Sequence, residues 1–240
     1  MSGDFYDGLS LVHVCEPLTR NIKSIRVSQD LFDDLSKSPD DWDIAQRQEI
    51  TTKPPSYGDA NTIINRPFEE ADWFNVIGFP FTNWAASRFS DGRFGVWYGS
   101  DSVETTVYET AYHWRSGFLA DAGFDTLVSH GDRESITGER KVYQVQCDAM
   151  LIDLRPRVTE YPALIHPDSY LFTQEVGSRL HHEGYPGLVN YSARCDGTNY
   201  GVLNKVVLSN PKACCSLTYR LTRNGVSVER EVGKTWMTLP

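Results

Sequence analysis

Glycine-rich phosphate loops are missing from this sequence: neither GxGxxG nor GxxxxGK[ST] occurs, which removes the grounds for a Rossmann or P-loop fold. Cysteine is sparse and unpatterned. The five cysteines, at 15, 147, 195, 214 and 215, are odd in number and lack CxxC spacing, so neither a disulfide framework nor a zinc knuckle is signalled. Reduced thiols are expected. The six histidines contain no HExxH, and the adjacent His181 and His182 would point about 100° apart on a helix, so no metal is expected. Basic charge is also short: 23 Lys+Arg stand against 32 Asp+Glu, a net charge of -9 without any Lys/Arg run, which disfavours direct nucleic-acid binding. No run of about 18 apolar residues exists, and the start MSGDFYDGLS has neither a basic end nor an apolar segment. A protein of the cytoplasm, off the membrane, is the expectation.

What is present suits a sizeable core. The 240 residues are 40% hydrophobic and 12% aromatic, consistent with one domain carrying an elaboration. Leu9 to Cys15 reads as a buried strand containing His13. Two helical candidates lie between Ser28 and Ile50, and Thr51 to Ala60, with two prolines and a glycine, reads as loop. Arg66 to Trp84 holds Phe68, Trp73, Phe74, Phe79, Phe81 and Trp84. They form either core or a lid, or else a stacking wall for a flat ligand; if exposed, they suit a homodimer or partner contact. Further strands are expected over 141–147, 150–154, 187–194, 202–208, 215–221 and 226–232, and a helix over 169–185 closed by Gly184 and Pro186. Strands outnumber helices, which predicts a mixed α+β fold with much antiparallel pairing.

The stretch from Ala86 to His113 concentrates chemistry. Arg88 precedes a loop punctuated by Gly92 and Gly95, Tyr98 closes the apolar run Val96-Trp97-Tyr98, and Glu109 falls inside a helical pattern. At about 100° per residue, Val103, Val107, Ala111 and Trp114 share an arc of about 80°, with Glu109 roughly opposite. Glu109 is then either a solvated surface carboxylate or part of a cleft wall; its neighbours Thr105, Tyr108, Tyr112 and His113 give that face an aromatic, polar character. Ser192 and Arg194 end a short strand. No GxSxG surrounds Ser192, so it is not expected to be a hydrolase nucleophile.

These residues carry a family resemblance. Arg88-Phe-Ser, Val96-Trp97-Tyr98-Gly99-Ser100 and Thr105-Thr106-Val107-Tyr108-Glu109 resemble the core of the RES domain, named for its Arg, Glu and Ser. Ile152-Asp153-Leu154, Thr173-Gln174-Glu175-Val176-Gly177 and the segment Gly187 to Arg194 are similar to the family's DL, TQ..G and G(I/L)xxxSxR segments, in the same order. The similarity covers about residues 80 to 210 of one domain, after a first strand near 9–15 and an N-terminal insertion at about 20–80. Departures are Phe89 and Ser90 after the arginine, Thr106 in place of alanine, and His13 where many members have an arginine in the first strand.

The resemblance implies a fold similar to the ADP-ribosyltransferase toxins and cleavage of the nicotinamide–ribose bond of NAD. It implies NAD as substrate, Arg88, Tyr98, Glu109 and Ser192 as catalytic residues, and His13 and Arg194 as further contacts to the dinucleotide. A partner of the Xre-type antitoxin class is implied too. Two alternatives stand beside NAD degradation: transfer of ADP-ribose to a protein, and a non-catalytic module sensing NAD or a nucleotide.

Overall fold

The computed structural model describes residues 5–24, 73–119 and 135–240, with the side chains of 117–119 excepted. The expected helices between Ser28 and Ile50, the loop at Thr51 to Ala60 and the start of the aromatic stretch, Phe68 included, lie outside them. Met1–Lys23 and Phe68–Pro240 form one compact unit, and Ser24–Pro67 is a separate one.

An eight-stranded sheet dominates the first unit. Its strands are β1 (Ser10–Lys23), β4 (Trp97–Ser100), β5 (Ile136–Asp153), β6 (Gly187–Tyr191), β7 (Thr198–Val202), β8 (Leu208–Thr222), β9 (Gly225–Glu231) and β10 (Lys234–Leu239). The two-residue strands β2 (Ala86–Ser87) and β3 (Ser90–Asp91) pair separately. Helices are α1 (Phe79–Thr82), α2 (Val103–His113) and α3 (Leu171–His182). The sheet order is β1-β4-β7-β6-β5-β8-β9-β10 with an added β1–β5 pairing, so β1, β4, β7, β6 and β5 close a ring. Among the described residues only β5–β6 is parallel; the other pairings are antiparallel. The expected α+β class with a largely antiparallel sheet is what the chain forms.

Apolar spacing explains which faces are buried. Val107, Ala111 and Trp114 of α2 pack on Leu217, Tyr219, Val226 and Val228, while Val176 and Leu180 of α3 pack on Phe89, Phe94 and Leu188. Each fully buried aliphatic side chain contributes about 1.5–3 kcal/mol relative to exposure. Trp97, wholly buried, donates its Nε1–H to the Val76 carbonyl at 2.8 Å, so the largest side chain of β4 is hydrogen-bonded as well as packed. Ser102 caps α2 by accepting from the Thr105 amide. Gly184, at φ +80°, turns the chain after α3 as its sequence position predicts.

Several boundaries differ from expectation. β1 continues through Pro17 to Lys23, because its second side is paired only at Thr19 with Ser100 and a missing donor is tolerated where the strand is an edge. The expected strands at 141–147 and 150–154 are one strand, since Asp148 and Ala149, unpromising in composition, are held opposite Cys15 and Val14 in the ladder with β1. No strand spans 202–208: β7 ends at Val202, Asn204 caps a 3-10 turn at Lys205–Val207, and β8 then begins. β10 was not foreseen.

Candidate active site

Sequence-distant elements meet around a cavity of about 450 Å³, within the roughly 300–1,000 Å³ usual for small-molecule sites. Arg88, Tyr98 and Glu109 all line it, together with Arg20, Tyr170 and Asn199. The strand-to-helix stretch therefore does deliver a cation, an aromatic ring and a carboxylate to one place.

Glu109 is fixed from one side. Its Oε1 accepts from Ser192 Oγ and from Asn199 Nδ2, each at 2.6 Å. Its Oε2 has no hydrogen bond among the described residues. Ser192 is itself held, because its Oγ accepts from the backbone amides of Arg194 at 3.0 Å and Cys195 at 3.3 Å. Asn199 is oriented by Ser100, whose hydroxyl donates to Asn199 Oδ1 at 2.6 Å. The carboxylate is thus pre-aimed by short hydrogen bonds from β7 and from just past the end of β6, the first backed by Ser100 of β4, and a fixed charge needs no reorganisation during reaction. Ser192, expected from the resemblance as a catalytic residue, is 6% exposed and touches Glu109 from outside the cavity lining.

Tyr98 holds a loop. Its hydroxyl accepts from the Phe89 amide and shares a hydrogen bond with Ser87 Oγ, both at 2.9 Å, and burial pushes the phenol up to about 12. It is a neutral aromatic wall with no proton to trade at neutral pH. Arg88 donates to the His166 carbonyl at 2.9 Å and lies over the Tyr170 ring at 4.5 Å. Burial draws His113, also on the cavity, below its ordinary value, with Glu109 pulling the other way.

Two expected contacts are placed elsewhere. Arg194 stacks on Tyr112 at 3.3 Å and donates to the Pro167 carbonyl, so its guanidinium orders the 166–170 loop and is not among the groups lining the cavity. His13 is on the solvent face of β1, 3.0 Å from Asp148, and does not reach the site. Among the described residues of the aromatic stretch none lines the cavity: Trp73 and Phe81 pack on the core, and Phe79 and Trp84 are exposed.

β1 does bring an arginine to the cavity, Arg20. It donates to the Tyr98 carbonyl at 2.8 Å and lies 5.1 Å from the Trp97 ring, yet its Nε is enclosed without a partner among the described residues. Burial pulls this guanidinium down to about 9. An arginine keeps its proton in a protein, so this is a buried cation, with no acidic partner among the described residues. Asn199 was the other omission; an asparagine in TNYGV has no spacing signal, whereas Arg20 was discoverable had the strand been carried past Pro17.

Residues 64–222 match the RES domain. The chain belongs to the RES domain family. No curated protein matches it. Among solved structures, the crystal structure of the M. tuberculosis MbcT–MbcA toxin–antitoxin complex is similar, with 14% identity, 87% of this chain and 86% of that chain covered, and a TM-score of 0.45. The matched stretch contains Arg88, Tyr98, Glu109 and Ser192, while Arg20 precedes it. In this RES domain the TQ..G segment clamps the arginine loop: Gln174 Nε2 donates to the Ser87 carbonyl at 3.0 Å, and a Cβ on Gly177 would stand 2.0 Å from the Phe89 carbonyl oxygen. Only glycine lets α3 lie so close. The DL segment lies at the end of β5, where Asp153 accepts from Arg155 and Leu154, just past the strand, is fully buried in the cluster that includes Phe89.

Proposed function

We propose that this RES protein cleaves the bond between nicotinamide and ribose in NAD, passing the ADP-ribosyl group to water or phosphate. The observation that carries the reading is Glu109, a carboxylate with one oxygen locked by Ser192 and Asn199 and the other uncommitted, on a cavity that also holds an under-compensated arginine. As the glycosidic bond breaks, its electron pair leaves with nicotinamide and the ribose gains oxocarbenium character. A fixed carboxylate lowers that barrier, and a leaving group that starts cationic needs no general acid. Water or phosphate then bonds to the anomeric carbon, water releasing its proton.

The remaining groups suit the rest of the dinucleotide. Arg20 is the natural partner of the pyrophosphate, since it lines the cavity, is buried, and has no acidic partner among the described residues, so an anion would supply the missing charge. Tyr98 offers a ring face to nicotinamide while its hydroxyl stays engaged in the loop. Asn21 and Asn190, on the same cavity, each keep a buried side-chain oxygen without a partner among the described residues, ready to accept from hydroxyl or amide donors.

Chromatography of purified protein with NAD tests this. Nicotinamide should appear, its co-product changing from ADP-ribose to a phosphorylated ADP-ribose if phosphate is the acceptor. Glu109→Gln should keep binding and lose about 10² or more in rate; an equal rate in the variant sinks the assignment. Label from NAD appearing on a lysate protein would mean transfer, and binding without nicotinamide would mean a sensor. RES membership also supports a toxin silenced by an Xre-type antitoxin, for which the check is whether coexpression with a neighbouring helix-turn-helix protein relieves growth arrest.

A further inference from the structure

Among the described residues, one cluster outside the cavity combines three different metal-ligating groups. His13 and Cys15 are two residues apart on β1, so the pleat directs both to one face. Cys15 is opposite Asp148 in the antiparallel ladder and His13 is opposite Met150, which places Asp148 on that face, diagonal to His13. His13 Nε2 is 3.0 Å from Asp148 Oδ1, and the ligand atoms of all three lie within 4.8 Å of one another, every residue exposed. Rules of sequence spacing miss such a set because His13 and Asp148 are 135 residues apart.

We propose that His13, Cys15 and Asp148 form a site for a zinc-type divalent transition metal on the open face of the β1–β5 ladder, with water in the fourth position. A thiolate, an imidazole and a carboxylate together suit Zn²⁺ or Co²⁺, whereas Mg²⁺ and Ca²⁺ take oxygen ligands alone. The thiolate and carboxylate also balance the two charges of the ion. The ladder runs without a register shift from Ser10↔Asp153 to Lys23↔Arg140, so the backbone presents the donors at fixed spacing and only exposed side chains need rotate to close around the ion. Bound there, the metal ties β1 to β5 across a long intervening chain. Cys15 is five residues from Arg20, about 17 Å along a strand, so the ion stabilises the scaffold and stays out of the reaction.

Titration of the metal-free full chain with Co²⁺ under reducing conditions decides the matter. One equivalent should bind with thiolate-to-cobalt charge-transfer absorption and tetrahedral d–d bands, and Zn²⁺ should displace it. Cys15→Ser should abolish the charge-transfer band, and His13→Ala or Asp148→Asn should weaken binding by about tenfold or more, since even groups outside the coordination shell are worth that much. Zinc should raise the Tm of the native protein and leave that of Cys15→Ser unchanged, circular dichroism confirming that each variant is folded. Lack of one-equivalent binding, a charge-transfer band that survives Cys15→Ser, or equally weak binding in all variants overturns the proposal. Nicotinamide release should be indifferent to zinc and chelator, and dependence of turnover on the metal would overturn its placement outside the reaction.

Discussion

Strand β1 ends in two polar clusters with opposite fates. Near its C-terminal end, Arg20 and Asn21 are covered: Thr19 pairs with Ser100 of β4, and Asn21 Nδ2 donates to Thr106 of α2 and, at 2.9 Å, to Tyr219. Toward its N-terminal end, His13 and Asp148 keep side-chain exposures of 58% and 68%. Both ends belong to one unbroken ladder with β5, so backbone geometry does not distinguish them. Cover does. An exposed polar pair is already solvated and its contact is worth about 0–1 kcal/mol, whereas a cation taken out of water without a full set of partners is costly until an anion arrives. Polar side chains of one strand are thus enclosed at one end and left in water at the other.

The sharpest test of that contrast lies on the covered side, where Glu109→Gln should cost about 10² or more in nicotinamide release. Next is Arg20→Ala. Losing a charge-assisted contact is worth about 1.5–3 kcal/mol, so KM for NAD should rise about 10- to 100-fold. Cleavage of nicotinamide riboside, which lacks the pyrophosphate, should be unaffected; an equal loss on both substrates would deny Arg20 its phosphate. Ser192→Ala should lower kcat about tenfold with KM little changed, because one of two bonds that aim Glu109 is gone. A rise in KM alone would make Ser192 a substrate contact.

A smaller effect concerns pH. Tyrosine ionises near 10 when unfolded and Tyr98 at about 12 when folded. Between those values the folded state holds a proton that the unfolded state has lost, so stability falls as pH rises through the window. Tyr98→Phe should flatten that fall without removing it, since Tyr200, also pushed to about 12, remains; denaturant midpoints across the window measure the difference. At the solvated end, His13→Ala should leave NAD turnover unchanged and metal-free stability within about 0.5 kcal/mol. A loss of NAD affinity there would erase the distinction between the two ends.

Local pattern explains what was readable beforehand. Helix α2 is legible because Val107, Ala111 and Trp114 recur at helical spacing and Ser102 begins it, and the same periodicity leaves Glu109 off the apolar stripe. Periodicity cannot tell a water-facing stripe from a cavity-facing one; the ordered resemblance running to Ser192 supplied that. The apolar run that marks the first strand ends at Cys15, whereas β1 runs on to Lys23 and carries Arg20 in its far half. His13 was a candidate through alignment of position alone, and the register instead pairs its strand so that it faces water beside Asp148.

By itself, then, the amino-acid order determined the α+β class and the two long helices, because these rest on periodicities within a few residues, and it singled out Arg88, Tyr98 and Glu109 through an ordered series of motifs. Which cation completes the cavity, what aims Glu109, and that Arg194 orders a loop were decided only by the tertiary structure. The reason is physical: burial, and with it the worth of a charge or a hydrogen bond, depends on what packs over a residue, and here the covering elements come from the far ends of the chain.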